Sequence, residues 1–226
     1  RIGYLNQLPP GWHQTTAPHA DCVAGVEATA KLCESLGHEV ELADPKAFAH
    51  DDVPAVFGPH FSSFVGFVVK YWEREIGRQF TRNDMEDATW DWYQSALNTN
   101  AAEFLVAVEG AQNLTRQIAN WYDTGNYDVL LTPTLSVPPV KIGAFEPDAD
   151  KPGQWLIDIL SFVAFTYVYN LSGQPAASVP LYWNDEGLPI GMQFVGRNGD
   201  EATLIRLSAQ LEQAQPWATR KPAVHC

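Results

Sequence analysis

Apolar positions along the chain switch between two periods, and the switches mark out strands and helices. Ile2 to Leu5 predicts a short strand, followed by a loop at Pro9-Pro10-Gly11. From Asp21 to Leu36, Cys22, Val26, Ala30, Cys33 and Leu36 recur every three to four residues, the spacing of one helix face. Gly37 terminates that helix, and Glu39 to Leu42 alternates polar and apolar as a strand does. Strand, helix and strand in this spacing form a βαβ unit with two parallel strands. Its loops carry no glycine-rich phosphate cradle, so a nucleotide site has little support.

A helical segment follows over residues 60–125. Phe61 to Ile76 predicts an apolar helix, and Met85 to Ala96, entered through Asn83, a second one bearing Trp90, Trp92 and Tyr93. Asn100 to Tyr122 is the longest, with Phe104, Val108, Ala111, Thr115, Ile118 and Tyr122 along one side. Gly125 ends it and Asp128 to Thr132 enters a sheet. Five Pro and two Gly between Pro133 and Gly153 predict an irregular surface connection.

From Trp155, apolar residues continue as one buried helix to Asn170, where Asn170, Gly173 and Pro175 stop it. Ala176 to Leu181 reads as a buried strand. A turn at Asn184 to Gly187 leads to a strand over Pro189 to Val195, and Asp200 caps a last helix, Glu201 to Gln215. The last nine residues form a tail. The alternation predicts an α/β layered sheet with helices on both faces, built as a single domain over 1–226. Its parts are the βαβ unit over 1–45, the helical segment over 60–125 and a closing part over 127–217.

The string FTYVYNLSGQPAASVP at Phe165–Pro180 is more specific than its periodicity. With Phe165-Thr166, Asn170, Gly173, Pro175-Ala176 and Ser178 to Pro180, it resembles the closing part of the amidase signature family. YDVLLTPT at Tyr127–Thr134 and the segment from Leu188 to Trp217 match that family in order. The resemblance implies part of an α/β/α sandwich around a mixed sheet, with the N-terminal catalytic half absent. It implies hydrolysis of linear or cyclic carboxamide C–N bonds without cofactor or metal. The family's serine nucleophile, second serine and neutral lysine lie ahead of the matched segment. The chain alone is therefore predicted to be inactive, and Arg1, opening directly on a strand, reads as a truncation.

Composition narrows the alternatives. With 27 acidic against 14 basic residues, a net charge of −13 argues against nucleic acid and anionic membrane as partners. No apolar run reaches a membrane span and no signal peptide is visible. Cys22, Cys33 and Cys226 are too few for a disulfide framework, so a reducing, cytoplasmic setting is expected. The six histidines show no metal-ligand spacing, and Asp51-Asp52 and Asp148/Asp150 read as solvated loop acids. Ser62-Ser63 lacks a glycine tract, Ser161, Ser172 and Ser178 lack a nearby base, and the lysines read as solvated. The sequons at Asn113 and Asn170 are discounted, the first because it falls mid-helix.

What this portion can supply is substrate selection. By resemblance to fatty-amide-cleaving members, Leu160, Val163 and Tyr167 line the acyl channel. In glutamine-hydrolysing relatives the position of Val163 carries an Asp that reads a charged amino end. An apolar side chain there cannot pair an ammonium, so the expected small-molecule substrate is a neutral or apolar amide. The same spacing is also that of a plain buried helix face, and the Trp90/Trp92/Tyr93 group is either core or substrate rim. Two other readings stay open: a non-catalytic α/β binding module derived from an amidase, and an amidotransferase A-type subunit. An exposed sheet edge where the other half of the fold would sit predicts self-association as a homo-oligomer.

Overall fold

A computed structural model describes residues 1–12, 17–50, 52–146, 150–151, 154–222 and 224. His13, Asp51, Asp148, His225 and Cys226 lie outside these residues. Five strands, β1 (Ile2–Tyr4), β2 (Val40–Leu42), β3 (Val129–Pro133), β4 (Ala176–Trp183) and β5 (Pro189–Gly196), form one sheet in the order β2-β1-β3-β5-β4. β1 runs parallel to both β2 and β3, while β5 is antiparallel to β3 and β4. The β1–β2 crossover is helix α1 (Ala20–Ser35), which completes the expected βαβ unit. The sheet is therefore mixed.

Alternation along the strands sends side chains to opposite faces, and each face has its own helical layer. Val129, Leu131, Met192 and Phe194 meet Cys22, Val26 and Cys33 of α1, together with Leu204, Leu207 and Leu211 of α7 (Glu201–Ala214). Leu130 and Val195 face the other way, toward Leu114, Ile118 and Tyr122 of α4 (Ala101–Gly125) and Val168 of α6 (Tyr167–Ser172). Three of the buried polar ends on this second face are paired, whereas the Tyr169 hydroxyl has no partner among the described residues. Trp12 donates to the Phe48 carbonyl at 2.8 Å, Tyr122 to the Val195 carbonyl at 2.8 Å, and Tyr167 to the Trp12 carbonyl. Gly3 is required on β1 because a Cβ there would sit 2.6 Å from the Trp121 ring.

Several boundaries differ from the sequence reading. The helix expected from Phe61 is α2 (Val53–Ile76), eight residues longer at its start. Asp52 accepts from the Ala55 N–H at 3.0 Å, and Pro54 sits in the first turn where its missing N–H costs nothing. The next helix is α3 (Asp87–Asn98), and Asn83 instead lies in a short 3₁₀ turn closed by Thr81 and Asp84. α4 starts at Asn100 as expected, with a reciprocal cap from Glu103, but passes Tyr122 and stops at Asn126 in the left-handed region (φ 51). Its buried residues are Ala107, Ala111, Leu114, Ile118, Trp121 and Tyr122, which share Ala111, Ile118 and Tyr122 with the predicted line.

The largest difference lies after Trp155. The single helix expected to Asn170 is two, α5 (Gln154–Phe162) and α6, separated by a turn over 163–166. β4 and β5 each extend a little past their predicted ends, and α7 carries Asp200 as its cap. β4 is an outer strand, with Pro180 in its middle and a register shift between Val179 and Tyr182.

Candidate functional site

The break between α5 and α6 is made by local chemistry. Thr166 returns both its N–H and its hydroxyl to the Val163 carbonyl, at 2.8 and 2.9 Å, closing a tight turn in place of a helical one. The carbonyl of Phe165, buried completely, is thereby freed from the helix ladder. Gln193 of β5 takes it at 2.8 Å and also donates to the Thr132 hydroxyl at 3.1 Å. Gly173, at φ 70, then ends α6 with a left-handed cap.

Beside this break lies a cavity of roughly 390 Å³ between α2, α3, α5 and α6, a volume suited to a small ligand. Leu160, Val163 and Tyr167 all line it. Leu160 and Val163 are partly buried, whereas Tyr167 is buried and contributes its ring alone. Its hydroxyl is held on the Trp12 carbonyl, and burial pushes the phenol well above its ordinary pKa. Tyr167 is thus an apolar wall with no proton to offer.

The rest of the wall includes Phe57 and Phe61, which the sequence reading did not assign to a site, and Trp92, which it left as core or substrate rim. Phe57 packs on Tyr167 with ring centres 5.0 Å apart and stacks on Phe61 at 5.4 Å. Phe61 meets Trp92 edge-on at 4.9 Å. The signal for Phe57 was available in Asp52-Val53-Pro54, which is a helix start. The tryptophan group divides: Trp92 lines the cavity, Tyr93 is buried, and Trp90 packs edge-on against Tyr93. Among the described residues no Asp, Glu, Lys, Arg or His lines this cavity, so its wall offers a bound ammonium no direct partner. A larger depression of about 850 Å³ lies between the β4–β5 turn and the C-terminal tail, but it is open and lies away from the α5–α6 break.

Nucleophile chemistry is not assembled among the described residues. Ser62 donates to the Pro59 carbonyl at 3.3 Å, and Ser178 shares a 2.6 Å hydrogen bond with Thr134. Ser161 donates to the Ile157 carbonyl at 2.8 Å. Ser172 is buried and bound to Gln174 at 2.8 Å, which also removes the hydroxyl that the Asn170 sequon would need. No lysine approaches any of these hydroxyls in a described hydrogen bond. Lys70, read from the sequence as merely solvated, is ion-paired to Glu73 at 2.8 Å. The Glu73 carboxylate pushes Lys70 up to about 12, the opposite of a lysine poised to accept a proton. No group of three metal-ligating side chains occurs among the described residues.

The fold is that of amide-hydrolysing enzymes. The solved structure of 6-aminohexanoate cyclic dimer hydrolase is similar over 99% of this chain and 46% of its own, with a TM-score of 0.86 and 27% identity. A family model described as Amidase matches residues 1–205, and the chain belongs to the amidase family. The 6-aminohexanoate-cyclic-dimer hydrolase of Paenarthrobacter ureafaciens is 29% identical over 98% of this chain and 45% of the relative. Its counterpart from Pseudomonas sp. (strain NK87) is 30% identical with the same coverage. The chain spans less than half the length of these relatives. No helix among the described residues is long and apolar enough to cross a membrane.

Proposed function

We propose that this chain is the substrate-selecting portion of an amidase-type hydrolase whose serine nucleophile lies outside residues 1–226. The observation that carries the reading is the cavity beside the α5–α6 break, free of charged side chains among the described residues, in an amidase-family chain where Ser62, Ser161, Ser172 and Ser178 bond to groups other than a lysine. In this reading residues 1–226 act as one domain, and the partner of the domain is the remaining half of the same fold. Leu160, Val163 and Tyr167 shape the acyl side of the pocket.

The absence of a charge at Val163 favours a neutral linear or cyclic amide over glutamine. Relatives named for a cyclic dimer of an amino acid, a molecule without free ionic ends, agree with that class. It also argues against an amidotransferase A-type role. The buried unpaired thiols of Cys22 and Cys33 support a reducing compartment such as the cytoplasm.

Two measurements test the proposal. The purified chain should turn over no amide, and titratable hydrolysis by it alone would refute an external nucleophile. In the longer hydrolase, Val163→Asp should depress kcat/KM for apolar amides by about tenfold or more, because a carboxylate would be desolvated in the cavity. Unchanged kinetics would remove Val163 from the pocket.

A further inference from the structure

Asn170 lies one helical turn after Thr166 and lines the same cavity, yet it is exposed and its carboxamide makes no hydrogen bond among the described residues. The other polar side chains on the wall offer less. The Thr166 hydroxyl is already given to the Val163 carbonyl, and Thr89, from α3, carries only a single hydroxyl. Among the described wall residues, Asn170 is therefore the one whose side chain carries a donor and an acceptor on two separate atoms, side by side, with neither in a described hydrogen bond. The same cavity is lined by apolar α5 residues and by the Tyr167–Phe57–Phe61–Trp92 aromatic series.

A carboxamide can form two parallel hydrogen bonds with another amide only when that amide shows its N–H and C=O on the same side. Primary amides and small lactams do so, whereas an open-chain secondary amide in the usual trans form presents one group at a time. We propose that Asn170 is the group that reads the substrate's amide, and that it selects primary amides and small lactams whose hydrocarbon part rests on the aromatic wall. This deepens the function proposed above and rests on the cavity being the substrate pocket.

The test uses the 226-residue chain and titration by calorimetry or ligand-observed NMR. ε-Caprolactam offers both groups on one side, N-methylcaprolactam lacks the N–H, and N-butylacetamide is trans. ε-Caprolactam should bind about three- to tenfold more tightly than either comparison ligand, the worth of one net hydrogen bond. Asn170→Ala should remove that preference while leaving weak binding of all three. Asn170→Asp, which accepts but cannot donate to the carbonyl, should lose the preference over N-butylacetamide while keeping that over N-methylcaprolactam, which has no N–H to give it. Far-UV circular dichroism confirms that each variant keeps its helices.

Equal affinity of the three ligands for the unaltered chain, or a preference that survives Asn170→Ala, would overturn the inference alone. Failure of all three ligands to bind, or binding unaffected by Val163→Asp, would overturn the pocket assignment along with it.

Discussion

Gln193 is the residue on which the α5–α6 break depends, and Gln193→Leu isolates its contribution. Gln193 is 5% exposed, so the change keeps an apolar, similarly sized side chain in place and opens little void. What it removes are the two hydrogen bonds from Nε2. The Phe165 carbonyl, wholly buried and outside the helix ladder, loses its described partner, at a cost of about 1–3 kcal/mol. Thr132 loses less, because its hydroxyl still donates to the Pro133 carbonyl at 2.8 Å; roughly 0.5–1 kcal/mol is reasonable there. The sum is about 1.5–4 kcal/mol, a large share of the ~5–15 kcal/mol that holds a typical domain together. For a chain of this length it corresponds to a fall in Tm of about 5–15 °C.

Urea denaturation followed by circular dichroism measures the effect. Thr132→Val serves as control, since it leaves the Phe165 bond intact and should cost no more than about 1 kcal/mol. If Gln193→Leu shifts stability by less than ~0.5 kcal/mol, the Phe165 carbonyl has another partner and the account of the break is wrong.

Glu73 supplies a pH test. The hydrogen bond from Lys70, followed by that from the Phe80 N–H, holds its carboxyl below the ordinary value of 4.5. A carboxyl depressed in the folded state adds stability that is complete above the unfolded value and lost as pH falls through the folded one. Glu73→Gln should therefore be less acid-sensitive than the unaltered chain below about pH 4.5, and parallel acid-unfolding curves would contradict the pairing. Cys22 and Cys33, both wholly buried, have thiols pushed up to about 12 by burial. Peptide mapping after alkylation should find both unmodified in the native chain and labelled in urea; rapid native labelling would refute their burial.

Much of this architecture could be read from the sequence because local signals and global packing agree. The βαβ unit, the Asn100 and Asp200 caps and the β4–β5 hairpin each follow from short-range pattern. The failures arose where a distant residue decided the outcome. Nothing between Trp155 and Asn170 announces a break, since the Phe165 carbonyl is satisfied by Gln193, 28 positions away. The start of α2 was missed for a different reason: the apolar run begins at Phe61, whereas the helix begins at the Asp52 cap and carries Pro59 inside it. That difference hid Phe57, which joins Tyr167 to Phe61 along the cavity wall. Leu160, Val163 and Tyr167 came from the family motif, since their spacing is equally that of any packed helix. Only coordinates could show that the Tyr167 hydroxyl points to Trp12.

The outer strand β4 has a further consequence. A margin interrupted by a proline and thrown out of step between Val179 and Tyr182 offers a poor docking line for a neighbouring backbone. Fibril-like growth by strand addition is blocked on that flank. Copies of this chain that adhere to one another by their faces, and not through the other outer strand, β2, would use exposed side chains such as Phe64, Phe67 and Trp72 of α2. Detergent or a single charged substitution on that helix would then disperse them.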